Sequence, residues 1–269
     1  MTDALTLART GLLDALEALH SHLGALVVVG AQAIYLHTGG LQIALAEYTT
    51  DGDVAVDPDL LSSEPLVEAA MRTAGFEPDP RSSAVGSWIS ARGVPVDLMV
   101  PGAVAGAGRR GVRVPPHDSK AMRRSHGLEA VLVDNSPMVI GALEAADTRE
   151  FEVAVAGPAA LVVAKLHKIH DRIGSPSRLD NKDAHDVYRL LRSVETDALS
   201  MTVNHLLSHP LSGSVTRDGL GYLRDLFAQG PGAPGSVMAG VAEELVGDPV
   251  AVMESVSLLA QDLLDAMNR

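Results

Sequence analysis

The sequence predicts an α/β fold of the α+β kind, with a mixed half at residues 1–157 and an all-helical half at residues 158–269. Three observations predict it. Short apolar or alternating runs, of strand length, intersperse with helix-period segments up to residue 156. From Pro158 the pattern is helical almost throughout, broken by a Gly/Pro-rich stretch at Gly230–Gly235. The chain's 269 residues can bury a large core, and 46% hydrophobic against 20% charged residues is a globular composition.

The elements follow in order. Leu5, Ala8, Leu12, Leu16, Leu19 and Leu23 recur at three- and four-residue spacing, which predicts an amphipathic helix over 3–23 stopped by Gly24. Leu26–Gly30 is a continuous apolar run ending in glycine and reads as a buried strand. A helix follows from Gly30 through His37 to Gly39-Gly40. Residues 49–57 alternate as a strand, and Glu64–Ala74 reads as a helix ended by Gly75. Val85–Ala91 and Val94–Val100 form a hairpin about Arg92-Gly93, and Pro101–Gly108 is a loop. Short strands are expected at 130–134 and 151–156. Helices are expected at Ala159–Arg172 and Asp183–Arg192, on either side of the polar loop Gly174–Arg178.

Composition narrows the function classes. With no cysteine the chain has neither disulfides nor thiolate metal sites. The N-terminus lacks the basic start and apolar core of a signal peptide. No apolar run reaches the ~20 residues of a membrane span. A cytoplasmic protein without a membrane partner is the expectation. The net charge of −13 disfavours broad, non-specific nucleic-acid binding. A local basic segment, Arg109-Arg110-Gly111-Val112-Arg113 with Lys120, Arg123 and Arg124, reads either as a solvated loop or as a landing strip for a polyanion.

Two constellations can carry chemistry. In Thr49-Thr50-Asp51-Gly52-Asp53, residues i and i+2 of a strand share a face, so Asp51 and Asp53 are expected as neighbours. Asp97 lies in a later strand, Val94–Val100. Carboxylates are the ligands a magnesium ion takes, and divalent ions clamp the oxygens of phosphoryl transfer. Asp51 and Asp53 are therefore candidate metal ligands, with Asp97 a third ligand or a base. The turn at Gly30-Ala31 gives close backbone approach and free helix N–H groups for a triphosphate.

The second constellation runs from Lys165 to Tyr188. Only four lysines occur in the chain, and Lys165, Lys168 and Lys182 lie in this stretch. In a chain that prefers arginine, a retained lysine suggests a phosphate contact. Lys165, Lys168 and Arg172 fall on one helical stripe; Asp183 and Asp186 share a face of the next helix. Surface ion pairing between two helices is the plain alternative. His167, His170 and His185 lack a usual zinc spacing and read as polar positions near an anion site.

Gly30-Ala31, Thr50-Asp51-Gly52-Asp53, Val96-Asp97-Leu98, Lys165-Leu166 with Ile169 and Arg172, and Lys182-Asp183 with Asp186-Val187-Tyr188 occur in this order. The series resembles the AbiEii/AbiGii nucleotidyltransferase-like toxin family of type IV-like toxin–antitoxin systems, which includes the MenT-like toxins. The resemblance covers roughly residues 25–192. It implies a polymerase-β-like nucleotidyltransferase core with a helical C-terminal domain, Mg2+, and a nucleoside triphosphate as substrate. It implies RNA as acceptor, in particular a tRNA 3′ end, and a cognate antitoxin as partner. Asp51 and Asp53 would bind metal with Asp97 as third carboxylate, and Lys165 would contact the triphosphate. Asp186, or else Asp183, would be the late aspartate. Members of the family usually carry Gly-Gly or Gly-Ser where this chain has Gly30-Ala31, and the lost hydroxyl removes one phosphate contact. The residues also admit a small-molecule or protein nucleotidyltransferase, similar to antibiotic adenylyltransferases, or a binding module whose nucleotide site has decayed.

Overall fold

The computed structural model describes residues 3–39, 49–82, 84–108, 111–175 and 180–269. The fold is α/β, with a mixed sheet and a C-terminal stretch whose regular elements, among the described residues, are helices. The chain divides into two compact units. The first comprises Met1–Ala33, Tyr48–Leu128 and Asn135–Ala156; the second comprises Ile34–Glu47, Glu129–Asp134 and Gly157–Arg269.

The first unit opens with helix α1 (Ala4–Ala18), whose N-cap Asp3 accepts a hydrogen bond from the Thr6 amide at 2.7 Å. The α-helix ends at Ala18. His20–Ala25 continues as a 3-10 helix, so the expected helix to residue 23 is shorter and tightens over its last turns. Strand β1 (Leu26–Val29) is buried along its whole length, as a central strand requires. Helix α2 (Gly30–Thr38) follows without a linker, and the division between the units falls within it.

Strand β2 (Gly52–Val56) is shorter than expected, and Asp51 stands just ahead of it. Helix α3 (Val67–Thr73) starts later than Glu64, with Leu66 extended ahead of it (φ −60°, ψ 133°). Strands β3 (Glu77–Pro78), β4 (Ser87–Ile89), β5 (Pro95–Pro101) and β6 (Arg123–Ser125) complete this side of the sheet. The expected hairpin exists, since β4 and β5 pair antiparallel.

The strand expected at 130–134 is a 3-10 turn, Glu129–Leu132. The strand lies just beyond it, as β7 (Asn135–Gly141), and it pairs with β8 (Glu150–Ala156). Asn135-Ser136-Pro137 carries no apolar alternation, and its polar face is tolerated because β7 is an edge strand. The sheet order is β3-β4-β5-β2-β1-β8-β7, with β6 on β5. At its centre β1 runs antiparallel to β2, while β2 runs parallel to β5. Helix α1 packs over β2 and β5 with Leu12, Leu13 and Leu16 buried.

The second unit carries α4 (Pro158–Ile173), α5 (Asn181–Ser193), α6 (Thr196–Ser208), α7 (Gly213–Leu226), α8 (Pro234–Ala242) and α9 (Pro249–Ala266). Pro158, Pro234 and Pro249 each sit in a first helical turn, where a missing N–H costs nothing. Helix α5 packs on α4, α8 and α9, and Leu166 and Ile169 of α4 and Val187 and Leu190 of α5 are all buried. Among the described residues no helix is long and apolar enough to cross a membrane.

Candidate active site

The first unit builds its site on the register of three strands. Val29 of β1 stands opposite Asp53 of β2, and Asp53 stands level with Asp97 of β5. Level partners in a ladder project to the same face, so the Asp53 and Asp97 carboxylates are neighbours across adjacent strands. Met99, two residues beyond Asp97, is level with Arg123 of β6, which brings Arg123 to the same face.

Gly30 makes the approach of Asp53 to helix α2 feasible. Its φ is +66°, in the left-handed region that favours glycine. A Cβ placed there would lie 2.1 Å from Asp53 Oδ2. Glycine is therefore required twice over, by backbone conformation and by space. The carboxylate sits against the first turn of α2, where the helix dipole favours negative charge. Ala31 is buried and presents only a methyl group beside its backbone N–H.

The remaining carboxylates are already oriented. Asp51 Oδ1 accepts the Thr49 hydroxyl at 2.8 Å. Asp97 Oδ2 accepts Arg123 Nη2 at 2.8 Å and Nε at 3.3 Å, and its Oδ1 has no protein partner among the described residues. Both side chains of this pair stay about a quarter exposed, 27% for Arg123 and 25% for Asp97.

The donor set decides how a magnesium ion would fit. Among the described residues no three His, Asp or Glu side chains stand close enough together to hold a metal. Magnesium does not need such a cage: it uses one or two carboxylates, keeps several waters and takes the rest of its oxygens from substrate phosphates. Asp51 and Asp53, on either side of Gly52 at the start of β2, are donors of that kind. Asp97 has one oxygen committed to Arg123.

The second unit holds Lys165, Lys168, Arg172, Asp183 and Asp186 together. Lys165 Nζ donates to Asp183 Oδ1 and Asp186 Oδ2, each at 2.7 Å, and all three residues are buried. Lys168 Nζ also donates to Asp183 Oδ1 at 2.7 Å. Arg172 Nη1 lies 3.7 Å from Asp183 Oδ2, and Lys182 Nζ lies 3.6 Å from Asp186 Oδ2. Burial pulls the Lys165 pKa down, but the Asp186 and Asp183 carboxylates outweigh it and hold the ammonium above the ordinary lysine range. Burial likewise pushes Asp183 up, and Lys165 and Lys168 win, holding it well below the carboxylate range. Lys165 and Asp183 are thus held in their charged forms, with both of Lys165's hydrogen bonds spent on carboxylates.

The three histidines have separate tasks. His167 Nε2 meets the Val215 carbonyl at 2.8 Å, and His170 stacks on Tyr222 with ring centroids 3.8 Å apart. His185 Nε2 meets Glu243 Oε1 at 2.8 Å, and burial lowers the His185 pKa.

Within the basic segment, Arg109 and Arg110 lie outside the described residues, as do Pro176, Ser177 and Arg178 of the polar loop. Arg124 is structural, since its terminal nitrogens donate to the carbonyls of Gly102 and Gly106. In the sequence Arg123 is only one member of a basic stretch. Its partnership with Asp97 depends on β6 joining β5, and the three-residue Arg-Arg-Ser strand carries no periodic signal for that pairing.

No protein-family model matches the chain. No curated protein matches it either. Among solved structures, an antigenic nucleotidyltransferase-like protein from Paracoccidioides brasiliensis is similar at 12% identity, with a TM-score of 0.38, over 80% of this chain and 94% of that one. A likeness of that degree carries neither fold nor activity across, and the chain's own geometry bears the reading.

Proposed function

We propose that the chain is a nucleotidyltransferase that moves a nucleoside monophosphate unit from a nucleoside triphosphate to a hydroxyl acceptor. The acceptor hydroxyl oxygen bonds to the α-phosphorus and gives up its proton to solvent, the bond from that phosphorus to the α,β-bridging oxygen breaks, and pyrophosphate leaves. The observation that carries the reading is Asp53, set against the Gly30 turn at the start of α2 and level with Asp97. Phosphoryl transfer asks a protein for positioning and charge stabilisation more than for covalent chemistry. A carboxylate on a central strand, beside the N–H groups of a helix's first turn, meets that demand.

In this reading Asp51 and Asp53 hold Mg2+. Bound there, the ion would neutralise phosphate charge and polarise the phosphoryl oxygens. The backbone N–H groups of Gly30 and Ala31 bind phosphate oxygens, with the missing hydroxyl at Ala31 costing one contact. The Thr49 hydroxyl keeps the Asp51 carboxylate in place. In the second unit, the buried Lys165–Asp183–Asp186 cluster keeps Lys168 and Arg172 of α4 placed and charged for contact with a polyanion. Four cationic groups surround its two carboxylates, which leaves an excess of positive charge.

The acceptor class proposed is RNA, with a tRNA 3′ end as the acceptor the family resemblance implies, and the biological role proposed is that of a toxin held by an antitoxin. A second reading has one observation in its favour. The net charge of −13 would attract a small cationic acceptor, as an antibiotic adenylyltransferase does. Incubating the protein with each labelled nucleoside triphosphate, Mg2+ and total tRNA separates the two. Labelled RNA supports the toxin reading; label on an aminoglycoside and none on RNA supports the second. No transfer to either acceptor from any of the four nucleotides would remove both.

A further inference from the structure

We propose that Arg123 is the side chain that grips a phosphate of the nucleotide, and that Asp97 acts as its positioning residue. The inference rests on the nucleotidyltransferase reading. Three observations converge on it. Arg123 shares the sheet face of Asp53 and Asp97, by the register Asp53–Asp97 and Met99–Arg123. Asp97 holds the guanidinium through Nη2 and Nε, and Nη1 has no protein partner among the described residues. The pair is a quarter exposed, so a ligand can reach it.

The contrast with the adjacent arginine is informative. Arg124 spends both terminal nitrogens on the Gly102 and Gly106 carbonyls and ties a loop. Arg123 spends one edge of its fork on a carboxylate and keeps the other end open. A guanidinium pinned in this way loses little freedom when it binds, and its planar donors suit phosphate oxygens.

Charge balance points the same way. Like charges close together near a protein surface repel one another. A triphosphate entering beside Asp51, Asp53 and Asp97 meets three negative charges. One divalent ion offsets two of them, and Arg123 offsets the third. Asp97 is then needed to aim that cation rather than to coordinate the metal.

The test is binding of a non-hydrolysable nucleoside triphosphate analogue with Mg2+, followed by titration calorimetry. Hydrogen bonds to charged groups are worth about 1.5–3 kcal/mol, so R123A is expected to bind the analogue roughly 10- to 100-fold more weakly than the wild type. D97N is expected to lose a similar factor, and R123A/D97N to be no weaker than R123A alone, because one contact has been removed in each case. In turnover, R123A should raise the KM for nucleotide more than it lowers kcat. Unchanged affinity in R123A overturns the phosphate contact. Losses that multiply in the double variant overturn the positioning role of Asp97. A wild-type protein that fails to bind the analogue removes the nucleotidyltransferase reading itself, a result distinct from either. Should R123A not fold, R123K keeps the charge and loses the fork: several-fold weaker binding supports the proposal, and wild-type affinity overturns it.

Discussion

The chain carries two clusters of opposite charges, and they are built on different principles. The cluster on the sheet, Asp53 with Asp97 and Arg123, is partly exposed, and among the described residues Asp97 Oδ1 and Arg123 Nη1 have no protein partner. The cluster on α4 and α5, Lys165 with Asp183 and Asp186, is buried and closes its central charges on one another. Aspartates paired with a basic side chain thus stay partly open to water in one place and are shut into the core in the other. The difference lies in which charges have already found partners and how much water remains around them.

The largest expected effect tests the closed cluster. Removing one member of a buried ion network strands the others, at a cost of about 3–5 kcal/mol. Lys165→Met should lower unfolding free energy by that amount in urea titration, while Lys165→Met combined with Asp183→Asn and Asp186→Asn should recover much of the loss. A Lys165→Met protein as stable as the wild type would show that the cluster's charges are solvated after all.

Next comes the open cluster, where the effect should fall on activity instead. Under the nucleotidyltransferase reading, Asp53→Asn takes away a carboxylate that holds metal, a loss of several kcal/mol of transition-state stabilisation, or on the order of 10²–10³-fold in rate. Its unfolding free energy should shift by only about 1 kcal/mol, the scale of a charge at a helix terminus. A Asp53→Asn variant that unfolds readily would erase the contrast between the clusters.

Gly30→Ala sits between the two. A left-handed conformation costs an L-residue about 1–2 kcal/mol, and the added methyl would meet Asp53 Oδ2 at 2.1 Å. It should weaken both stability and nucleotide binding, because Asp53 must shift. Chemical denaturation together with analogue binding reads both losses.

The smallest effect is a pH dependence in the second unit. Burial depresses the His185 pKa below its ordinary value of 6.5, so the unfolded chain takes the proton more readily than the folded one. The associated stability is present above about pH 6.5 and is lost as pH falls below it, by less than about 1.4 kcal/mol per pH unit. Urea midpoints at pH 7.5 and 5.5 should show that fall in the wild type and a flatter response in His185→Gln.

The candidate site was legible in part. Asp53 and Asp97 could be picked out because an aspartate within an apolar strand is conspicuous, and Gly30 because it ends one. The strand at 130–134 was misplaced because Ala130-Val131-Leu132-Val133 is an apolar run too short for periodicity to tell a strand from a turn. Asp51 was assigned to the strand face, although Gly52 begins the strand and Asp51 lies outside it. Glu243 as partner of His185 was invisible, since the two residues are 58 apart in the chain.

By itself the sequence determined the α/β class, the helical C-terminal stretch and the residues able to carry charge, because local periodicity and residue chemistry do not depend on what lies far along the chain. Only the tertiary structure decided which charges are spent. Strand register set Asp97 beside both Asp53 and Arg123, and helix packing buried Lys165 between two carboxylates. Both outcomes depend on contacts between distant segments, and those contacts fix solvation and partner, which together determine what an ionised side chain can do.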